Sequence, residues 1–383
     1  MKKARVYSGL DGLNKADGLL RGRRVGLMTN PTGISRDFRS AIDLFYERYQ
    51  LTALFGCEHG IRGAEQAGDQ VTATTDQETG VTVYSLYGDT QRMTKEMLDA
   101  FDVLVFDMQD VGARFYTYLY SLSYAMEACA SAGKPVVVLD RINPLGGQRV
   151  QGTVLDQVFA SFVGAYPLPT RYGLTIGEYA LWAKGFLGLD LELFVVPLEG
   201  WKRDLLLDDL DIPWVIPSPN CPTLATVLCF VGTCVFEGTN LSEGRGTTTP
   251  FELVGAPWVD AGRLEAGMRA LSLPGLGIRR ASFTPTFSKH ANILCHGVQL
   301  HITDRNVADP FVAGLHLLDM VRRLHPDSFE WLQPDQANGI YHADRILGTD
   351  AYRTGKLDAR SLIEFHEPLL AAFQEEKRAY HLY

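Results

Sequence analysis

Short apolar segments alternate with helix-like segments between residues 24 and 196. The apolar segments have the length and residue types of buried strands, and the segments between them repeat their apolar positions every three to four residues. The predicted strands lie at residues 25–28, 51–55, 81–84, 103–106, 136–139 and 191–196, and the predicted helices at 36–49, 94–101, 116–132 and 176–186. This alternation is typical of a parallel sheet, so we predict an α/β fold with a Rossmann-like sheet.

The pattern changes beyond residue 200. Residues 213–222 (PWVIPSPNCP) contain four prolines, which are too rigid for a helix and poorly suited to an internal strand. Further helices are predicted at 261–271, where Asp260 is the cap, at 310–324 and at 362–377, with strands at 281–287 and 298–302. We therefore predict a Rossmann-like α/β domain over residues 1–215 and a smaller α+β domain over residues 216–383, which closes the active-site cleft.

Composition limits the class of protein. The 383 residues are 46% hydrophobic and 21% charged, which suits a soluble globular protein with a large core. A formal net charge of -9 without a basic run argues against nucleic acid. No stretch is long enough to span a membrane, and no apolar segment follows Met1. These features favour the cytoplasm, and a secreted form whose signal peptide has been removed is the alternative.

Several familiar motifs are missing from the sequence. It contains no GxGxxG at a strand-to-helix turn, no GxxxxGK[ST] and no GxSxG, so we expect neither a nucleotide cofactor nor a hydrolase nucleophile elbow. The six cysteines lack zinc spacing, and His296 and His301 would point to opposite faces of a strand. We therefore predict no metal and no cofactor.

A polar loop at residues 236–252 (FEGTNLSEGRGTTTPFE) lies between two apolar segments, 227–235 and 251–258. A polar loop anchored at both ends is more often functional than a loose one, and this one could wrap a polyhydroxylated ligand. The alternative is a surface loop whose threonines bond to nearby backbone.

Polar residues also follow four of the predicted strands. They are Thr29 and Asn30; Glu58 and His59; Asp107, Gln109, Asp110 and Arg114; and Asp140, Arg141 and Asn143. Any one of these sets could be ordinary caps and turn formers. Because the carboxyl ends of parallel strands meet at one edge of a sheet, four sets together favour a ligand site there.

Glu58 follows a predicted buried strand, so desolvation should raise its pKa and suit it to general acid catalysis. The alternative is a turn held by an Arg62 ion pair. Asp107 or Asp110 could orient a water or a sugar hydroxyl, and Arg114 could hold an anion; alternatively, Asp110 caps a helix and the nearby tyrosines are core residues. Glu178 is excluded because it completes a capping box with Thr175.

Seven blocks, in this order, resemble the exo-β-N-acetylmuramidase family of bacterial peptidoglycan recycling: EHGIRG, FDMQDVGARFYTY, LDRINPLGG, TRYGLTIGE, PSPNCPT, FEGTNLSEGRGTTTPFELVGAPW and FSKH. The resemblance covers nearly the whole chain. It implies release of terminal N-acetylmuramic acid from the non-reducing end of muropeptide glycans, with Glu58 as the catalytic glutamate. Ile142 departs from the proline more common in the family. Many relatives are exported, and this chain shows no signal, which would favour an imported disaccharide.

The resemblance and the residue patterns together define the candidate site of a glycosidase that acts on a small amino sugar. The candidate catalytic residues are Glu58, His59, Asp110 and Glu243. The candidate substrate-binding residues are Asn30, Arg62, Asp107, Arg114, Tyr116, Arg171, Tyr172, Asn220, Glu237, Thr239, Asn240, Arg245, Lys289 and His290.

Two points stay open in this reading. A second carboxylate is optional, because a 2-acetamido sugar can supply its own nucleophile. The competing functions are a non-catalytic binding protein for cell-wall amino sugars and an amidase or esterase with His59 as base. The sequence carries no signal for the oligomeric state.

Overall fold

A mostly parallel sheet forms the frame of the N-terminal half of the protein. The structure, a computed structural model, describes residues 3–57, 60–62, 74–88, 90–334 and 338–383. The strands in chain order are β1 Arg24–Thr29, β2 Gln50–Gly56, β3 Thr74–Thr75, β4 Thr82–Ser85, β5 Val103–Asp107, β6 Val136–Leu139, β7 Gln151–Val154, β8 Pro169–Arg171, β9 Leu193–Val196, β10 Leu253–Ala256, β11 Leu276–Phe283 and β12 Cys295–Ile302. The α-helices are α1 Asp17–Leu20, α2 Ala41–Arg48, α3 Lys95–Asp99, α4 Tyr118–Ser131, α5 Ile176–Phe186, α6 Leu224–Thr233, α7 Ala261–Ala270, α8 Pro310–Leu324, α9 His342–Leu347 and α10 Ala359–Glu376.

The order of strands in the main sheet is β3-β4-β2-β1-β5-β6-β9, and the neighbours pair in parallel except for β3 with β4. The chain moves from β1 outward through β2 and β4, and then returns to place β5 on the other side of β1. The carboxyl ends of β1 and β5 therefore form the point where the strand order reverses, and Thr29 pairs with Asp107 there. Ligands bind at such points in open α/β sheets. The predicted α/β fold is confirmed.

The C-terminal half contains a smaller antiparallel sheet in the order β10-β12-β11. Helices α6 and α8 cross closely at Gly232 and Gly314. A Cβ on Gly314 would lie 2.0 Å from the Gly232 carbonyl oxygen, so a larger residue would not fit there. The apolar segment before the polar loop is thus a buried helix. The hydrophobic core of the C-terminal half is continuous with that of the first half. Phe115 and Phe230, for example, pack edge to face with their ring centres 4.8 Å apart.

Several predicted bounds were accurate and others were wrong. Helices α5 and α8 have the predicted bounds, and Asp260 caps α7 through its side chain. The strand predicted at 281–287 instead ends at Phe283, and left-handed backbone at Ser288, with φ of 68°, shows that extended structure does not continue there. The hairpin of β7 and β8 was not predicted, because its strands are only four and three residues long.

The end of the chain returns to the first half. Trp182 Nε1 donates to Glu376 Oε1 at 2.8 Å, and the hydroxyl of Tyr383 donates to Asp140 Oδ2 at 2.6 Å. These bonds tie α10 and the residues after it to the main sheet and α5. Among the described residues, no helix has both the length and the apolar composition needed to cross a membrane.

Candidate active site

The crevice at the carboxyl ends of β1 and β5 is filled by polar side chains that bond to one another. Asp107 accepts from Arg141 Nε at 2.5 Å and from Nη2 at 2.9 Å, and both side chains are buried. Asn30 Oδ1 accepts from the backbone and hydroxyl of Thr32, whose hydroxyl accepts from the Gln109 backbone. Two predicted substrate-binding residues, Asn30 and Asp107, therefore shape this edge of the sheet through intramolecular contacts.

Asp110 is a buried carboxylate with one engaged oxygen and one without a described donor. Its Oδ2 accepts from the Gly112 backbone at 2.6 Å and from the Tyr172 hydroxyl. No described residue donates to Oδ1, and the residue is only 4% exposed. Burial raises the pKa of Asp110 to about 6, although the hydrogen bonds from Tyr172 and Gly112 oppose the rise. A carboxyl group of this kind changes charge near neutral pH, which is typical of functional sites.

The turn that fixes Asp110 requires glycine at position 112. Gly112 has φ of 82°, and a Cβ on it would lie 2.3 Å from Asn143 Oδ1. Asn143 in turn donates to the Leu174 carbonyl and accepts from the Leu145 backbone. The segments after β5, β6 and β8 are therefore locked together around Asp110.

Two of the predicted substrate-binding arginines, Arg114 and Arg171, are buried and donate to oxygen atoms of the protein. Arg114 is fully buried and donates to the carbonyls of Thr153, Leu168 and Ile346. Arg171 donates to Gln151 Oε1 at 2.7 Å and to the Leu145 carbonyl. Burial lowers the pKa of each guanidinium to about 10. Both side chains hold the β7–β8 hairpin in place and lie away from any open surface.

The polar loop carries a network of charges centred on Arg245. Arg245 Nη2 lies 2.5 Å from Glu237 Oε1, and its Nε lies 3.3 Å from Glu243 Oε1. Lys289 Nζ lies 2.7 Å from Glu243 Oε2, so the FSKH block joins the loop. Glu237 Oε2 also lies 3.3 Å from Nε2 of His342, a residue that the sequence did not single out. Burial acts to raise the pKa of Glu237, but the hydrogen bond with His342 and the charge of Arg245 bring it below its usual value.

Other candidates in this half support the loop. Thr239 donates to the Phe236 carbonyl at 2.9 Å, and His290 Nε2 lies 2.7 Å from the Asn240 carbonyl oxygen. The Asn240 side chain bonds to the backbone of Ser328 and Glu330. The hydrogen bonds of these side chains to the backbone fix the shape of the loop.

Cys221 is a buried free cysteine in the proline-rich segment. Burial raises the pKa of this thiol to about 12, and the charges of Arg245, Glu237 and Asp110 also act on it. The proline-rich segment that carries Cys221 also carries the predicted Asn220, which is 8% exposed.

Tyr116 lies in the aromatic segment that follows β5. Its ring packs edge to face on Tyr118 with centres 4.8 Å apart, and no described residue forms a hydrogen bond with its buried hydroxyl. The hydroxyl of Tyr118 donates to the Pro217 carbonyl. The aromatic residues after β5 are thus attached to the proline-rich segment.

Glu58 and His59 lie outside the described residues. Arg62, in the same sequence block, makes a bidentate ion pair with Asp76: the distance from Nε to Oδ1 is 2.7 Å, and the distance from Nη2 to Oδ2 is 3.0 Å. The hydrogen bond from Arg62 lowers the pKa of Asp76 to about 2. Arg62 Nη2 also lies 3.1 Å from Glu78 Oε2, so Arg62 pairs with two carboxylates. In the described ranges, no group of three His, Cys, Asp or Glu side chains could hold a metal ion.

Comparison with known proteins identifies the family. Residues 25–225 match the family described as exo-beta-N-acetylmuramidase NamZ, N-terminal, and residues 228–383 match its C-terminal counterpart. The chain is 45% identical over 388 aligned positions to peptidoglycan beta-N-acetylmuramidase NamZ of Bacillus subtilis (strain 168), which covers 100% of this chain and 92% of the relative.

Two crystal structures of DUF1343 family proteins from Bacteroides fragilis NCTC 9343 are also similar. One has a TM-score of 0.91 and 33% identity with full coverage of both chains, and the other has 0.76 and 28% with 99% coverage of each. The protein therefore belongs to the exo-β-N-acetylmuramidase NamZ family and is an exo-acting glycosidase.

Proposed function

We propose that this protein releases a terminal N-acetylmuramic acid residue from the non-reducing end of muropeptide-derived glycans or disaccharides, with Glu58 as the general acid. The observation that supports this most is the buried carboxyl of Asp110, which has a raised pKa and an Oδ1 with no donor among the described residues. Its charge and the charges of Arg245 and Glu237 all act on Cys221. Asp110 belongs to the first of the proposed domains, residues 1–215, and Arg245 and Glu237 belong to the second, residues 216–383; ligand sites are common between domains.

The proposed reaction needs a proton donor at the glycosidic oxygen. Cys57, the last described residue before Glu58, follows the carboxyl end of β2 at the same edge of the sheet as Asp110, and Glu58 is the next residue in the chain. Asp110 is the proposed second carboxylate, because it is buried and its Oδ1 has no donor among the described residues. A glycosidase of this class uses one such group as acid and can use a second to assist the attack at the anomeric carbon.

Recognition of the muramic acid carboxylate is assigned to Arg245. Arg114 and Arg171 are buried and donate to oxygen atoms of the protein, and Lys289 binds Glu243 and two carbonyls. Arg62 pairs with Asp76 and Glu78, outside the polar loop. No described residue accepts from Arg245 Nη1, and the side chain is 28% exposed. A guanidinium with one open nitrogen can donate a charge-assisted bond to a carboxylate.

The role of Glu58 is tested with the Glu58→Gln variant, which keeps the shape of the side chain and removes the proton. General acid catalysis contributes about 10² to 10⁴ in rate, so kcat on a natural disaccharide should fall by that factor with KM little changed. A 4-nitrophenyl N-acetylmuramide needs little protonation at its leaving group, so the variant should lose less activity on it. Glu96→Gln, on an exposed turn of α3, is the matched control and should retain wild-type kinetics.

The outcomes separate the parts of the proposal. Equal losses on both substrates would remove Glu58 as general acid, and near-normal turnover of the disaccharide would move the chemistry to Asp110 or Glu243. Failure of the wild-type enzyme to hydrolyse either muramide would refute the proposed substrate.

Recognition by Arg245 is tested by the ratio of kcat/KM for N-acetylmuramide and N-acetylglucosaminide substrates. A charge-assisted bond contributes about 1.5 to 3 kcal/mol, so Arg245→Ala should reduce this ratio by about ten- to a hundredfold. Arg62→Ala is the comparison, because Arg62 pairs with Asp76 and Glu78 outside the polar loop, and the ratio should change little. The assignment is wrong if Arg62→Ala changes the ratio and Arg245→Ala does not.

A further inference from the structure

Tyr172 is a buried tyrosine whose hydroxyl bonds to Asp110. The residue is 1% exposed, and its hydroxyl donates to Asp110 Oδ2, which lies 62 positions earlier in the chain. Its ring packs against the ring of Tyr179 with centres 6.4 Å apart. Because the ring is covered and the hydroxyl is bound to a carboxylate, Tyr172 can act on a substrate only through Asp110.

The backbone on both sides of Tyr172 is fixed. The residue before it, Arg171, ends β8 and donates to Gln151 Oε1 at 2.7 Å. The residue after it, Gly173, has φ of 64°, and a Cβ on it would lie 2.8 Å from the Arg149 carbonyl oxygen. The Tyr172 hydroxyl therefore reaches Asp110 from a position that the surrounding chain holds in place.

The two carboxyl oxygens of Asp110 have different surroundings. Oδ2 accepts from the Tyr172 hydroxyl and, at 2.6 Å, from the Gly112 backbone. Oδ1 has no hydrogen-bond partner among the described residues. Rotation of the carboxyl group would break both bonds to Oδ2, so these two donors determine which oxygen is left for the substrate.

The other ionisable groups on which the charge of Asp110 acts stay neutral over the range in which Asp110 titrates. Burial raises the pKa of each of them, and the charge of Asp110 adds to the rise; they are Tyr116, Tyr120, Tyr179 and Cys221. Burial likewise raises the pKa of Tyr172 well above its usual value, so Tyr172 keeps its proton. Burial and the hydrogen bonds from Tyr172 and from the backbone of Gly112 and Val111 set the pKa of Asp110.

We infer that Tyr172 is a positioning residue for the reaction: with the Gly112 backbone it holds Oδ2 of Asp110, so that the ionised Asp110 offers Oδ1 to the anomeric carbon. The inference rests on the proposed function, which makes Asp110 the second carboxylate. A hydrogen bond to an ionised carboxylate favours the ionised form. Without Tyr172, Asp110 would therefore stay protonated, and inactive in this role, up to a higher pH.

The test is the pH dependence of kcat/KM for 4-nitrophenyl N-acetylmuramide in the wild type and in Tyr172→Phe. Activity of the wild type should fall below about pH 6, where Asp110 becomes protonated. In Tyr172→Phe this acid limb should move up by about one to two pH units, the effect of one hydrogen bond to an ionised group. The kcat/KM of the variant should be about ten- to a hundredfold lower below pH 6 and should approach that of the wild type on the alkaline side of the shifted limb.

Tyr179→Phe is the matched control. Tyr179 is a fully buried tyrosine beside Tyr172, and its hydroxyl lies 2.6 Å from the Ser123 hydroxyl. The control removes the same atom from the same part of the core and leaves the bond to Asp110 in place. Its acid limb should stay at the pH of the wild type.

The pKa of Asp110 can also be measured without turnover, by infrared titration of the C=O stretch of its protonated carboxyl group. The band is assigned by its absence in Asp110→Asn, and it should titrate at a higher pH in Tyr172→Phe than in the wild type. Incorporation of 3-fluorotyrosine at position 172 keeps the hydroxyl and makes it a stronger donor, so it should move the titration and the acid limb to lower pH.

Each result decides a separate question. An acid limb that Tyr172→Phe leaves in place, or a loss of kcat/KM that is equal at every pH, overturns the inference and leaves the proposed function standing. If Tyr172→Phe does not fold, an unchanged titration with 3-fluorotyrosine overturns it. A wild-type protein whose Asp110 band titrates as expected but that hydrolyses no muramide contradicts the proposed function itself.

Discussion

Replacing Asp110 with asparagine should make the protein more stable at neutral pH. The substitution is nearly isosteric, and the amide oxygen can keep the bonds from the Gly112 backbone and the Tyr172 hydroxyl. The amide nitrogen then takes the place of Oδ1, for which no described residue is a donor. The variant therefore keeps the local contacts and removes a buried negative charge.

The size and sign of the effect follow from the pKa of Asp110, which burial raises from 3.8 to about 6. Between pH 3.8 and about pH 6, Asp110 is more often protonated in the folded protein than in the unfolded chain. The free energy of unfolding therefore falls as pH rises toward 6. At about 1.4 kcal/mol for each unit, the ionised Asp110 costs on the order of 3 kcal/mol above pH 6. Asparagine does not ionise, so its advantage over the wild type should grow by about that amount from pH 4 to pH 7 and then stay constant.

The measurement is urea unfolding of both proteins at unit steps from pH 4 to pH 8, and the quantity of interest is the difference in the free energy of unfolding. Asp76→Asn is the control of opposite sign, because its ion pair with Arg62 lowers the pKa of Asp76 to about 2. That variant should be less stable by up to about 2 kcal/mol above pH 5, with a deficit that shrinks as pH falls. A difference between wild type and Asp110→Asn that does not change with pH would refute the reasoning.

Three further outcomes are expected. Gly112→Ala should destabilise the protein by more than about 1 kcal/mol and lower kcat, because the left-handed backbone and the Asn143 contact at 2.3 Å exclude a Cβ; thermal unfolding and turnover of a chromogenic muramide would check it. Tyr383→Phe should cost about 1 to 3 kcal/mol in urea unfolding, because Asp140 loses a buried donor, and an unchanged midpoint would contradict the role of the chain end. Treatment with EDTA should leave turnover intact, since the described residues hold no metal-ligand set, and restoration of lost activity by a divalent cation would show the opposite.

The sequence by itself determined the fold class and the position of the candidate segments. Alternation of apolar and amphipathic segments predicted the parallel sheet, because strands buried on both faces must be apolar along their whole length. The polar residues after β1, β5 and β6 were linked to one edge of the sheet, because parallel strands share a direction. The chain order of these segments depends only on local periodicity and turn residues, so it can be read without knowledge of the tertiary contacts.

The tertiary structure alone decided what each candidate side chain does. Arg114 and Arg245 both lie in recognisable blocks, yet Arg114 is buried on backbone carbonyls, while Arg245 pairs with Glu237 and Glu243 and no described residue accepts from its Nη1. His342 contacts a residue 105 positions away, and no spacing rule connects them. The pKa of Asp110 likewise depends on how much water its neighbours exclude. Desolvation and charge act through space, so these properties are set by packing between distant segments and are not encoded in any local pattern.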